Sequence, residues 1–171
     1  PASGRPIAIP SQDIVLGCYY MTAPRDGALG EGSRFASYKE VELAVGLHKL
    51  SPHAKVKFRF EGKMIDTTAG RVMFNKGVPK EVGFSNELLS KKKIEELVLN
   101  VYHSTNTVTT ATFLDYIKEF GFKYAMQSGA SIALSDILIP DDKHKLLDQA
   151  QTKVDEVMGE YEMGIITEGE R

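Results

Sequence analysis

Cysteine occurs once in this chain and tryptophan not at all. A lone Cys18 excludes an internal disulfide and a thiolate metal cluster, and a reducing compartment is the simple reading. No apolar run approaches the roughly 20 residues needed to span a bilayer, and no signal peptide opens the chain. Charge of one sign is also missing. Lysine and arginine number 21 against 23 acids, a net charge of −2, so no global basic field draws nucleic acid. That disfavours an autonomous nucleic-acid-binding domain but leaves room for a piece of a larger nucleic-acid machine. Phosphate-binding Walker and GxGxxG loops are absent. His48, His53, His103 and His144 share no spacing such as HExxH.

The rest is an ordinary globular composition, 42% apolar over 171 residues, enough for one domain or two small ones. Pro1-Ala2-Ser3-Gly4 reads as the middle of a loop. Ile14 to Met21 reads as a short strand or helical turn, and Gly27, Gly30 and Gly32 mark a flexible loop after it. Ser37 with Glu40 forms a capping-box pattern that predicts a helix over 38–48. His48 closes its apolar face as a core or boundary histidine. Alternation then predicts a strand, with Val56, Phe58 and Phe60 on one side and Lys55, Lys57 and Arg59 on the other. These cations can face phosphate or simply be solvated. Glu61-Gly62-Lys63 supplies a turn, Met64 to Thr68 a return strand, and Val72-Met73-Phe74 a candidate third strand.

Ile94, Leu97, Val98, Val101 and Tyr102 have helical spacing, so a helix is expected over 90–102, with Lys91, Lys92 and Lys93 solvated. Thr109 or Thr110 caps the next helix, which Gly121 interrupts. Ile132 to Ile139 reads as a buried connector or short strand. Pro140, Asp141 and Asp142 suit a helix start. Paired carboxylate chemistry at Asp141 and Asp142 is the alternative to capping. The last helix, roughly 33 Å long from Asp142 to Met163 at 1.5 Å per residue, carries Leu147, Ala150, Val154, Val157 and Tyr161 at alternating steps of three and four. That is a coiled-coil seam, which requires a partner helix. With Gly164 following, it reads as the first arm of a helical hairpin and the chain as part of a longer protein. Without a partner, the seam over 147–161 is either covered by artificial self-association of an isolated piece or left as a mobile helix. The expected fold is α+β, mainly helical, with a small antiparallel sheet and a protruding C-terminal coiled-coil helix. The expected domains are 1–110 and 111–171. Cys18, with no activating base in sight, reads as a buried small hydrophobe.

Several motifs occur in a telling order: IPSQDIVLGCYYMT from Ile9, then GEGSRFAS, DTTAGRVMFN, FLDYIKEFGFKYAMQSGASIALSDILIP, and finally GIITEGER. Together they resemble the beta-prime (largest) subunit family of bacterial RNA polymerase over essentially the whole chain. The resemblance implies a cytoplasmic, nucleoid-associated enzyme component at the pore and funnel, the walls of the secondary channel. Its implied partners are the beta, alpha and omega subunits, template DNA, RNA, and Gre-type cleavage factors at the channel rim. No membrane is implied. The catalytic Mg²⁺ ligands and the Zn²⁺ sites of such a parent lie outside this segment, so no catalytic residue, metal or cofactor is assigned here.

Within that resemblance, Gln12 and Asp13 in the PSQD loop are the part of the chain nearest the catalytic loop in sequence. They can orient it, line the nucleotide path, or simply cap a helix or turn. Arg71 can contact a phosphate or brace a neighbouring subunit segment. Tyr161, Met163, Ile165 and Ile166, flanked by Glu168 and Glu170, form a candidate partner patch at the rim tip. They can equally pack on a second hairpin arm, as Tyr161 would by continuing the seam. The resemblance also maps a guanosine tetraphosphate site of some relatives onto Val108, Thr112, Asp115 and Glu119. Only the aspartate is kept there, so weak or no binding is expected. The competing readings are a freestanding interaction module that binds a regulator through a rim-like hairpin, and an independent nucleic-acid-binding domain.

Overall fold

The computed structural model describes residues 9–171, so the loop expected at Pro1–Gly4 lies outside them. The chain divides into two compact units, Pro1–Ala130 and Ser131–Arg171. The division falls beyond the 110/111 position anticipated from sequence, because the long helix that starts at Thr107 packs within the first unit.

In the first unit, α1 (Asp13–Thr22) is followed by β1 (Arg34–Phe35), α2 (Tyr38–Gly46), β2 (Lys55–Phe60), β3 (Lys63–Thr68) and α3 (Ala69–Asn75). A 3-10 turn at Lys80–Val82, α4 (Lys91–Ser104) and α5 (Thr107–Ser128) complete it. Local chemistry sets the helix starts. The side chains of Ser37, Thr68, Ser90 and Asn106 accept from the third backbone N–H of α2, α3, α4 and α5 respectively. Glu40 closes the anticipated box one residue early, accepting from Ala36 N at 2.9 Å. β2 and β3 pair antiparallel, as the alternation required, with Lys57 opposite Asp66 and Phe58 opposite Ile65.

Four local expectations fail here. Val72-Met73-Phe74 lies in α3 rather than in a strand, because Thr68 caps the segment and a three-residue apolar run has no period of its own. The third strand is β1, which runs parallel to β2, so the sheet is mixed rather than antiparallel. Asn106, not Thr109 or Thr110, caps α5, and Gly121 does not interrupt it.

Two apolar clusters fill the unit. One joins Cys18 and Met21 of α1 to Ile94, Val98 and Val101 of α4 and to Phe113 and Ile117 of α5. The other packs Val41 and Leu50 against Val56 and Phe58 of the sheet. α3 serves both, sending Phe74 into the first and Ala69 and Val72 into the second.

Helices α1 and α5 meet at glycines. A Cβ at Gly17 would stand 1.9 Å from the Gly121 carbonyl oxygen, and one at Gly121 would stand 2.6 Å from the Ile14 oxygen. Gly121 is therefore the residue that lets two backbones touch inside a continuous helix, not a break.

In the second unit a 3-10 turn (Leu134–Asp136) precedes α6 (Lys143–Glu162). The segment expected to be buried is open: Ile132, Leu134 and Leu138 are 87%, 87% and 85% exposed. Apolar character alone does not place a residue inside. Asp142 occupies the N-cap of α6, but its side chain makes no capping bond. Leu147 and Val154 of the seam are exposed. Among the described residues no helix is long and apolar enough to cross a membrane.

Candidate functional site

Gln12 and Asp13 stand at the start of α1, both exposed. Gln12 has φ 51° and ψ −124°, a conformation suited to glycine, and its side chain makes no cap bond. Holding a non-glycine residue there costs on the order of 1–3 kcal/mol. Among the described residues its exposed side chain therefore has no capping role. Asp13 sits in the first turn, where a carboxylate is favoured by the helix dipole.

Arg71 works at the other end of the same helix. Its Nε donates to Thr22 O at 3.0 Å, and Nη1 donates to Asn86 O at 3.0 Å and Asn86 Oδ1 at 3.3 Å. A cation on the last carbonyls of α1 suits the negative helix end. Burial lowers the guanidinium pKa, with Glu87 opposing.

Around Arg71 lies a polar lattice that composition could not reveal. Thr22 Oγ1 donates to Cys18 O at 2.8 Å and accepts from Leu89 N at 3.0 Å. Asn75 donates to Ser85 O and accepts from Ser85 N, and Asn86 donates to Asp66 O. Arg71 therefore braces elements of its own chain. The structure does not bring it to Gln12 and Asp13, since the α1 residues between them span roughly 15 Å at 1.5 Å per residue. The only sequence signal for this lattice was its density of Thr and Asn beside an arginine.

The histidines divide plainly. His53 is buried, its Nδ1 is 2.9 Å from Ala23 O, and its ring meets Tyr20 edge-on. His48, expected on an apolar face, is exposed at φ 54° just beyond α2, because that helix ends at Gly46. Among the described residues no three His, Cys, Asp or Glu side chains gather as a metal site. Cys18 is fully buried, and desolvation pushes its thiol up to about 12.

At the end of α6 the backbone turns through Gly164 at φ 73°. Ile165 N donates to Glu160 O and Gly164 N to Tyr161 O, a Schellman arrangement. Met163 and Ile165 are 71% and 67% exposed. Ile166 is half-buried and Glu168 is exposed. Glu170 accepts from Thr167 N at 2.9 Å and from Thr167 Oγ1 at 2.8 Å. The Arg171 guanidinium lies 4.7 Å from the Tyr161 ring centre, so Tyr161 is partly covered by its own chain. Val108, Thr112, Asp115 and Glu119 share one exposed face of α5, where Asp115 pairs with Lys118 at 2.9 Å.

The described residues form a helical α+β arrangement. The family model described as RNA polymerase Rpb1, domain 3, matches residues 1–137. The chain belongs to that family. All of it aligns with DNA-directed RNA polymerase subunit beta' of Salinibacter ruber at 44% identity and of Sulfurihydrogenibium sp. at 43%. The Aquifex pyrophilus subunit is 44% identical over 172 residues. The chain spans only 11–12% of the length of these relatives.

Proposed function

We propose that this chain serves as a segment of the largest subunit of a bacterial, cytoplasmic DNA-directed RNA polymerase, shaping the secondary channel. The observation that carries the reading is similarity at 43–44% identity along the entire chain to beta' subunits. The parent reaction is template-directed nucleotidyl transfer, for which Mg²⁺ held outside these residues would activate the attacking hydroxyl and steady the pyrophosphate. This segment contributes access and positioning. Gln12, exposed at the start of α1, meets the incoming nucleotide or the extruded RNA end. Met163, Ile165 and Ile166 at the α6 end receive a Gre-type cleavage factor, with Glu168 at the rim of that patch. The other polymerase subunits are its standing partners.

The test is a reconstituted polymerase. Gln12→Ala raises the nucleotide KM several-fold in fully assembled enzyme, and an unchanged KM would refute the assignment of Gln12. Met163→Glu with Ile165→Glu abolishes stimulation by the cleavage factor and leaves elongation intact. Undiminished stimulation would remove the docking site. The isolated chain extends no primer. Guanosine tetraphosphate binds weakly at the Val108–Glu119 face, where Glu119 repels a polyphosphate. Tight binding lost on Asp115→Ala would overturn that.

A further inference from the structure

The outer face of the sheet carries more cation than the chain neutralises. Lys55, Lys57 and Arg59 point outward from β2, and the parallel pairing sets Arg34 of β1 beside Lys57. Asp66 lies on the other side of Lys57 at 3.5 Å, and Lys55 pairs with Asp26. Arg34 and Arg59 have no ion-pair partner among the described residues. With strands about 4.8 Å apart and residues rising about 3.3 Å, these two guanidiniums stand on one face within mutual reach of a single chain. A groove of about 470 Å³ runs between them, with Met64 in its wall. Met64 is 47% exposed and offers an apolar contact. Glu40 also borders the groove, but its carboxylate is engaged by Ala36 N.

Among the described residues the edge beside this face is open. β1 is the outermost strand on its side of the sheet. Ser33 O accepts from Lys57 N at 2.9 Å, and parallel geometry then turns the N–H and C=O of Arg34 away from β2. No hydrogen bond outside the ladder involves the Arg34 backbone among the described residues. An unpaired strand edge is a template for an extended peptide.

We propose that the Arg34–Lys57–Arg59 face, with the open edge of β1, docks an extended acidic polypeptide segment that lies beside β1. The peptide backbone takes the free N–H and C=O of Arg34. Its alternate carboxylates meet Arg34 and Arg59, whose planar forks suit bidentate pairing. A nucleic acid offers phosphates but no strand to pair with the edge, which favours polypeptide.

The test uses the full-length subunit carrying this chain, in its native assembly in cells. A photoreactive benzoylphenylalanine replaces Ala36, exposed in the groove just after β1, and the adducts are mapped by peptide mass spectrometry. The expected adduct lies on one polypeptide segment with Asp or Glu at alternate positions. Arg34→Glu with Arg59→Glu lowers its yield by about tenfold or more, since charge reversal opposes association. Lys91→Glu with Lys92→Glu changes net charge equally and leaves the yield unaltered. If the reversal variant fails to assemble, Arg34→Gln with Arg59→Gln decides, with a several-fold loss expected. Adducts on RNA or DNA, adducts on a segment without acids, no adduct, or a yield indifferent to the arginines would each overturn the proposal.

Discussion

Replacing Gly17 by alanine tests the α1–α5 crossing on which the first unit is built. The new methyl would lie 1.9 Å from the Gly121 oxygen and 2.7 Å from the Ala125 nitrogen, both backbone atoms. No rotamer change relieves that contact, so the helices must part by more than about 1 Å, and overpacking of this kind costs about 1–3 kcal/mol or more. Cys18, Met21 and Ile117 around the crossing are all fully buried, so the strain has no surface to escape to. Alanine regains up to about 1 kcal/mol of helix propensity. With a clash this short and made by backbone, the net loss should reach about 2 kcal/mol. For a unit of this size that lowers the melting temperature by roughly 5–10 °C. The assay is thermal unfolding of the chain followed by far-ultraviolet circular dichroism. Gly46→Ala, where a Cβ meets nothing within 4 Å, is the control and should be neutral or slightly stabilising. If Gly17→Ala melted at or above the wild type, the close crossing would be wrong.

Other perturbations read other parts of the account. Arg71→Met removes the donors to Thr22 and Asn86 and should cost about 1–3 kcal/mol in urea unfolding, and Arg71→Lys should recover only part of it; a loss under about 0.5 kcal/mol would deny the brace. Cys18 should resist a disulfide reagent at pH 8 until the chain unfolds, because burial holds its thiol near 12. Its raised pKa also makes stability fall as pH climbs from about 9 toward 12, visible in alkaline melting curves. The Thr167 hydrogen bonds, the backbone one first, lower the Glu170 carboxyl pKa. Their stabilisation is therefore present above the ordinary carboxylate range and lost as pH falls through the lowered value. The Thr167 amide resonance should report that loss at pH below the ordinary carboxylate range.

The sequence was legible where one period or one cap decided the outcome. The strand over Lys55–Phe60, the start of α2 at Ser37 and the start of α4 at Ser90 all follow from a few adjacent residues. It was opaque where distant backbone decided. Gly121 looks like a break until Ile14 is seen against it, and the parallel partner of β2 is a two-residue strand too short to carry a pattern. Arg71 was visible as a candidate, but its hydrogen bonds to Thr22 and Asn86 depend on folding. The strain at Gln12 is likewise a property of the turn, not of the residue type.

The most direct measurement is localised cleavage from the catalytic centre of the assembled polymerase. In the proposed parent enzyme, Fe²⁺ is supplied in place of Mg²⁺ and reacts with added hydrogen peroxide to give hydroxyl radicals that cut nearby backbone. Cuts within residues 10–14, at the Gln12 turn, are the predicted result. Efficient cutting elsewhere in the subunit with none in that turn would contradict the placement of this segment beside the nucleotide path.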